Sequence, residues 1–261
     1  MLSKLLKKDL KRNMRWMWIL FVSTIIFAFI ARGVKELGQD IMFFKILGIF
    51  LDSVFYTLAV NVILQPFLRN FLNFSKSFYG DESYLTHTLP ATKDQLITSK
   101  FLTALIEMVL GFITLVVAIL IMFFTPSLFD KLGVLISVIV GDKISVGLTL
   151  TLIVLLIVVE FLMFLSLIFF SIVIAYRAKE KRVLKTFLIT AAMSFAAISI
   201  LSICMIIVLA INGVKLTGQT LTMSSTAFIS VITTGIVVYL AISVAVYFIT
   251  KHEFNKGVDV E

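Results

Sequence analysis

Three acidic residues, Asp52, Glu107 and Glu160, lie inside long apolar runs of the sequence. A carboxylate is costly in such a run, so it usually faces a bundle interior or a cavity, where it can bind a proton or a cation. One interpretation is therefore a polar pathway or a proton site. The other is structural, with each acid pairing with a basic residue or lying at a contact between helices. The sequence leaves both open.

The stretch GVKLTGQT, residues 213–220, nearly matches a phosphate-binding loop. That pattern needs lysine where Gln219 stands, because the lysine contacts the β- and γ-phosphates of the nucleotide. The two histidines, His87 and His252, lie far apart in polar segments, and Cys204 stands alone in an apolar run, so neither a metal site nor a disulfide framework is indicated. We therefore expect no catalytic site, no metal and no cofactor in this chain.

The most polar long stretch between the apolar runs is DESYLTHTLPATKDQLITSK, residues 81–100. Gly80 can end a preceding helix, and Asp81 is a good N-cap for a new short helix with Glu82 in its first turn. Pro90 then ends that helix, because it disfavours helical geometry at the residue before it. A shaped element is therefore expected here rather than a loose loop.

A second helix start follows within the same stretch. Thr92 and Gln95 have the Thr-x-x-Gln spacing of a capping box, which predicts a helix from Lys93 through Lys100 into the next apolar run. Upstream, the apolar residues after Pro66 predict a helix with one covered face. We therefore expect residues 67–100 to form a cytoplasmic region between spans 2 and 3, with a helix, a stop, a short helix, a proline break and a capped helix in that order.

Membrane helices must position these residues. The chain is 60% hydrophobic and only 15% charged, with a mean hydropathy of +1.10, whereas a soluble domain has about a quarter of its residues charged. A helix needs about 20 apolar residues to cross the hydrocarbon layer. Six runs qualify, so we expect an all-α integral membrane protein forming one domain over residues 1–261. The predicted spans are 14–31, 41–65, 101–125, 147–176, 184–211 and 227–249.

The basic residues predict the topology of the six spans. Lysine and arginine near span ends mark the cytoplasmic side, and 17 of them fall on the side that carries both termini, against 6 on the other. Both termini are therefore expected in the cytoplasm. The net charge of +8 is explained by this distribution, so a nucleic-acid partner is not expected. The longest outer connection, 126–146, has room only for a small lid or a surface helix.

Residues 1–13 have the pattern of an amphipathic helix. Its apolar face would carry Leu2, Leu5, Leu6 and Leu10, with lysines on the other faces. Such a helix can lie in the membrane interface with its lysines near anionic headgroups. An ordinary charged flank that only sets topology is the alternative.

The stretch GDESYLTHTLPATKDQLITSKFLTALI resembles the loop between spans 2 and 3 in membrane subunits of bacterial type-2 ABC exporters. The amphipathic start and the six-span layout are also similar, although the motif itself covers only about 27 residues of the sequence. The resemblance implies a permease subunit in the bacterial cell membrane. It implies as partners a second permease subunit and a cytosolic nucleotide-binding ATPase subunit, which would hold the ATP and Mg²⁺.

In that family the loop carries a coupling helix that docks on the ATPase. Carried over to this sequence, the docking residues are Asp81, Glu82, Tyr84, Leu85, Leu89 and Pro90. Two other classes of function stay open: a stand-alone ion-coupled transporter that uses the intramembrane acids, and a non-transporting immunity or assembly protein. A matched pair of interrupted spans, which is typical of ion-coupled transporters, is not evident in the sequence.

Overall fold

A computed structural model describes residues 2–37, 41–80, 83–84, 88, 91–125, 128–139, 145–176, 181–214 and 224–256. These residues form seven long or medium helices and no strand. The helices are α1 (Leu2–Leu37), α2 (Met42–Tyr79), α3 (Lys93–Phe123), α4 (Leu128–Ile139), α5 (Val146–Ala175), α6 (Arg182–Ile211) and α7 (Ser225–Asn255).

Every helix except α4 is long and apolar enough to cross a membrane, which gives six candidate spans among the described residues. The predicted helical class and number of spans are therefore confirmed. The side of the membrane on which each end lies stays a prediction. The chain divides into two compact units, Met1–Thr125 and Pro126–Asp259, called unit 1 and unit 2 below.

Unit 1 contains α1, α2 and α3. Asn13, near the start of α1, contacts Asn73, near the end of α2, whereas Lys35, near the end of α1, contacts Asp52, near the start of α2. These two helices therefore run antiparallel, and α3 packs against both and begins beside the start of α1. Two apolar clusters hold the unit together. One contains Ala28, Ala31, Leu51, Phe55, Ala118 and Met122, and the other contains Met14, Met17, Phe21 and Val62.

A proline and a glycine bring α2 and α3 close together. Pro66 lies inside α2, and since proline has no N–H, the carbonyl of Val62 lacks its ordinary helical hydrogen bond. Gly111 of α3 lies at that carbonyl: a Cβ atom on Gly111 would be 3.1 Å from the oxygen of Val62. Only glycine therefore fits this contact without displacing backbone.

Unit 2 contains α4 to α7, and its core lies between α5, α6 and α7. The buried residues of that core are Val159, Met163, Leu167, Ala197, Tyr239 and Val246. Most of the apolar surface of α6 stays exposed, since only 6% of the residues in its most apolar stretch are buried. This helix therefore offers its surface to lipid or to another protein. The short helix α4 occupies the connection in which a surface helix was predicted.

Candidate functional site at the basic end of unit 1

The start of α1, the end of α2 and the start of α3 meet at one end of unit 1, which we call the basic end. Polar side chains from all three helices contact one another there. This polar cluster consists of Asp9, Asn13, Asn70, Asn73, Ser99, Lys100 and Glu107. Most of its members are buried, which is unusual for side chains of these types.

Asp9 links α1 to α3. Its Oδ1 lies 2.8 Å from Nζ of Lys100, and each of the two side chains is only 12% exposed. Ser99 donates a hydrogen bond to Oδ2 of Asp9 at 3.3 Å, and Nη2 of Arg12 lies 3.5 Å from Oδ1. A buried carboxylate needs such partners, because an unpaired buried charge is strongly destabilising.

Two asparagines of α2 continue the polar cluster. Nδ2 of Asn73 donates to Oδ1 of Asn13 at 2.7 Å, which links α2 to α1. Nδ2 of Asn70 donates to Oε2 of Glu107 at 2.8 Å, which links α2 to α3. Asn70 also donates to the carbonyl of Pro66 at 2.8 Å, on the turn where the proline interrupts the helix.

Glu107 is the most deeply buried charged residue of the described chain, with no exposed surface. One of its oxygens accepts from Asn70. The other, Oε1, has no partner at hydrogen-bond geometry among the described residues, although the Asn13 side chain also lies near enough to interact with this carboxyl group. The sequence predicted that Glu107 is an acid within a span. In the structure, Glu107 of α3 contacts the side-chain amide of Asn70 on α2.

The polar cluster ties together the two helices that flank the predicted docking segment. Helix α2 ends at Tyr79, and the N–H of Gly80 bonds to the carbonyl of Lys76 at 3.2 Å. Helix α3 begins at Lys93, and the N–H of Gln95 donates to the hydroxyl of Thr92 at 3.3 Å. The predicted helix end at Gly80 and the predicted N-cap at Thr92 are both confirmed.

Between these two ends, the structure describes Ser83, Tyr84, Thr88 and Ala91. The N–H of Thr88 bonds to the carbonyl of Tyr84 at 3.1 Å, which is the spacing of one helical turn. Ser83 is buried, whereas Tyr84 is 74% exposed. Tyr84 is therefore available on the surface. The other predicted docking residues lie outside the described part of the chain: Asp81, Glu82, Leu85, Leu89 and Pro90.

The structure does not gather the three intramembrane acids into one site. Asp52 lies at the opposite end of unit 1 from Glu107, and its Oδ2 is 2.8 Å from Nζ of Lys35. This is the interhelical pairing that the structural interpretation of Asp52 predicts. Glu160 lies on α5 of unit 2 and is exposed.

The N-terminal segment is continuous with the first span, since α1 runs without a break from Leu2 to Leu37. The four leucines of the predicted apolar face are half-buried, and Leu10 packs against the cluster that contains Met14 and Met17. Contact of this face with the membrane interface stays a prediction. The near match at 213–220 is described only at its first two residues, and Gln219 lies outside the described part.

Sequence reasoning missed most of the polar cluster. Asp9 and Asn13 are four residues apart and continue the 3–4 spacing of Leu2, Leu6 and Met17, so they share one face with apolar residues. A polar residue on an apolar face is a signal for a buried contact. In the sequence, Asp9 lies among many lysines, which makes this signal hard to recognise.

Comparison of the chain with protein-family models, with curated proteins and with solved structures found no match.

Proposed function

We propose that this chain is the permease subunit of a bacterial type-2 ABC exporter in the cell membrane. In this proposal, a second permease subunit completes the translocation pathway. Separate cytosolic ATPase subunits bind ATP and Mg²⁺ and dock on residues 81–90. The substrate class is left open, since the resemblance concerns the docking segment and not the pathway.

The polar cluster is the observation that carries this proposal. Residues 81–92 connect the end of α2 to the start of α3, and both helices are linked to α1 a few turns inside the connection. A force applied to this segment would therefore move three spans together rather than bend one helix. Buried contacts suit this task, because removing one partner of a buried charge pair costs about 3–5 kcal/mol.

The surface of the segment supports a docking role as well. Tyr84 exposes 74% of its surface beside a helical turn and next to the buried Ser83. Tyrosine is enriched at protein interfaces, because it offers a large apolar ring and a hydroxyl group on a side chain with few rotamers. An exposed tyrosine next to a buried serine is a surface that a partner protein can bind.

Two features of unit 2 favour a second permease subunit. Glu160 is exposed on a helix of spanning length, where contact with lipid would be unfavourable for a carboxylate. The large exposed apolar surface of α6 offers a neighbouring area for contact. In a two-subunit arrangement, Glu160 faces a pathway or a partner instead of lipid.

Affinity purification tests the proposal. The tagged chain is purified from its native cells in mild detergent, and bound proteins are identified by mass spectrometry. We expect an ATPase subunit with a phosphate-binding loop to co-purify with the wild type and to be lost with Glu82→Lys or Leu85→Pro. Lys45→Glu, an exposed charge reversal at the far end of α2, serves as the control and retains the ATPase. If no ATPase co-purifies with the wild type, the proposal is wrong.

An ion-coupled transporter is the second candidate, and Glu107 is the observation that favours it. Its carboxyl group is buried, and one oxygen has no partner at hydrogen-bond geometry among the described residues, which suits a group that takes up a proton. Proteoliposomes containing the purified chain and a pH-sensitive dye distinguish the two candidates. Proton movement without ATP that is abolished by Glu107→Gln would favour the second candidate, and its absence favours the first.

A further inference from the structure

A groove with a volume of about 520 Å³ lies between α1 and α2 at the basic end of unit 1. Three cationic side chains line it: Arg12 of α1, and Arg69 and Lys76 of α2. No acidic side chain is among the described residues that line it. The carboxylate of Asp9 is 3.5 Å from Arg12, but it also pairs with Lys100. The lining therefore carries a local excess of positive charge.

Two buried or half-buried asparagines give the groove a polar floor. Asn73 and Asn13 both line it, and the hydrogen bond of 2.7 Å between them bridges the two helices. A ligand in the groove would therefore rest on two helices held in a fixed relation. The groove shares Asn13 and Asn73 with the polar cluster, whereas Glu107 and Lys100 are not among the described residues that line it.

The outer wall of the groove is apolar. Leu68 and Leu72 lie one helical turn apart on α2 and line the groove, yet 56% and 51% of their surfaces are exposed. Trp16 lines it from α1 and is 61% exposed, and the guanidinium carbon of Arg69 lies 5.9 Å from the centre of its ring. Cations beside an exposed apolar wall fit a ligand with an anionic group and apolar chains.

The position along α1 indicates which ligand this is. Tryptophan is enriched at the level of the lipid headgroups, and Arg12 lies one helical turn, about 6 Å, nearer the N-terminus than Trp16. The cations therefore lie at headgroup level on the predicted cytoplasmic side. Basic pockets between membrane helices on that side are a recognised way to hold anionic lipid headgroups.

We propose that this groove binds the phosphate group of an anionic phospholipid, with the acyl chains lying along Leu68 and Leu72. Arg69 and Lys76 hold the phosphate from α2, and Arg12 holds it from α1. A bound lipid would stabilise the contact between α1 and α2, next to the links of the polar cluster. This inference is independent of the proposed function, since it depends only on the groove.

Native mass spectrometry of the purified full-length chain tests the proposal. The protein is delipidated in non-ionic detergent and titrated with phosphatidylglycerol or with phosphatidylcholine of the same chain length. We expect a retained phosphatidylglycerol molecule, and roughly 10- to 30-fold weaker binding for Arg69→Gln/Lys76→Gln, because each basic residue near an anionic lipid contributes to affinity. Lys45→Gln/Lys185→Gln removes the same charge at exposed positions elsewhere and should bind as the wild type does.

Three further measurements show whether the bound anionic group belongs to a phospholipid or is free phosphate, and they exclude misfolding. Inorganic phosphate at constant ionic strength should not displace the lipid, and Leu68→Asn/Leu72→Asn should weaken lipid binding. Arg69→Lys/Lys76→Arg keeps both charges. If the variants fold, it should retain most of the lipid binding that the double Gln variant loses. Equal retention by the Gln and control variants would overturn the proposal. Displacement of the lipid by free phosphate would also overturn the proposal. A Gln variant that lost a co-purified protein but retained the lipid would overturn it as well.

Discussion

Lys100 and Asp9 are separated by 91 residues in the sequence and by 2.8 Å in the structure. Their contact joins the start of the third helix to the N-terminal turns of the first, and both side chains are almost fully covered. The charge pair lies less than three turns from the predicted docking segment along α3. It is a direct structural link between the helix that follows that segment and the first span.

Removing one partner of this pair should destabilise unit 1. We expect Lys100→Met to lower the free energy of unfolding by about 3 kcal/mol, because the buried carboxylate of Asp9 loses its nearest cation. The measurement is unfolding in detergent, followed by tryptophan fluorescence. Glu36→Gln is the control: it weakens the pair with Arg32, in which the glutamate side chain is 63% exposed, and should change stability by less than about 1 kcal/mol. Equal effects of the two substitutions would show that the buried pair has no special role.

Glu107 should tolerate an amide better than a truncation. Glu107→Gln keeps an oxygen that can accept from Asn70, so we expect a change in unfolding free energy below about 1 kcal/mol. Glu107→Ala removes the acceptor and leaves a cavity, which should cost about 2–4 kcal/mol. Thermal unfolding of both variants provides the comparison. If Gln were as damaging as Ala, the carboxylate charge itself would be required for stability.

The close approach of α3 to α2 predicts different outcomes at two glycines. Gly111→Ala places a methyl group 3.1 Å from the carbonyl oxygen of Val62, so the two helices must separate. We expect a loss of about 1–3 kcal/mol. Gly147→Ala has open space around the new methyl group and should be neutral or slightly stabilising, since alanine favours helix. Similar stabilities for the two variants in detergent would contradict the contact.

The pair of Lys35 and Asp52 should behave as a structural pair. A double-mutant cycle with Lys35→Met and Asp52→Asn should give a small but measurable coupling free energy of about 0.2–1 kcal/mol, because the lysine side chain is 42% exposed and solvent screens the charges. A cycle with no measurable coupling, together with loss of transport in Asp52→Asn alone, would instead assign Asp52 to a pathway.

Local sequence signals predicted the helical framework well. The apolar runs gave six helices of spanning length, and the end at Gly80 and the cap at Thr92 followed from residue chemistry within one turn. Asn13 and Asn73 could not be paired in this way, because their contact depends on how two helices pack over a separation of 60 residues. Periodicity shows which face of a helix is covered, but it does not show which helix covers it.

Pro66 illustrates the same limit. The sequence predicted a span that ends at residue 65 and a further helix after the proline, whereas α2 runs through Pro66 without a break and ends 13 residues later, at Tyr79. Asn70 donates to the carbonyl of Pro66, and Gly111 packs at the carbonyl of Val62, which lacks its helical donor. Neither contact can be read from the proline itself, so the sequence did not show that one helix continues through it.

Site-specific photocrosslinking at Tyr84 tests the central claim most directly. A benzoylphenylalanine at this exposed position is irradiated in native cells, and the adducts are identified by mass spectrometry. Phe43, which is 67% exposed at the opposite end of α2, provides the matched control position. The account predicts an adduct between position 84 and a cytosolic ATPase subunit, and none from position 43. If position 84 gave no ATPase adduct while the protein was inserted and folded, the docking role of this segment would be contradicted.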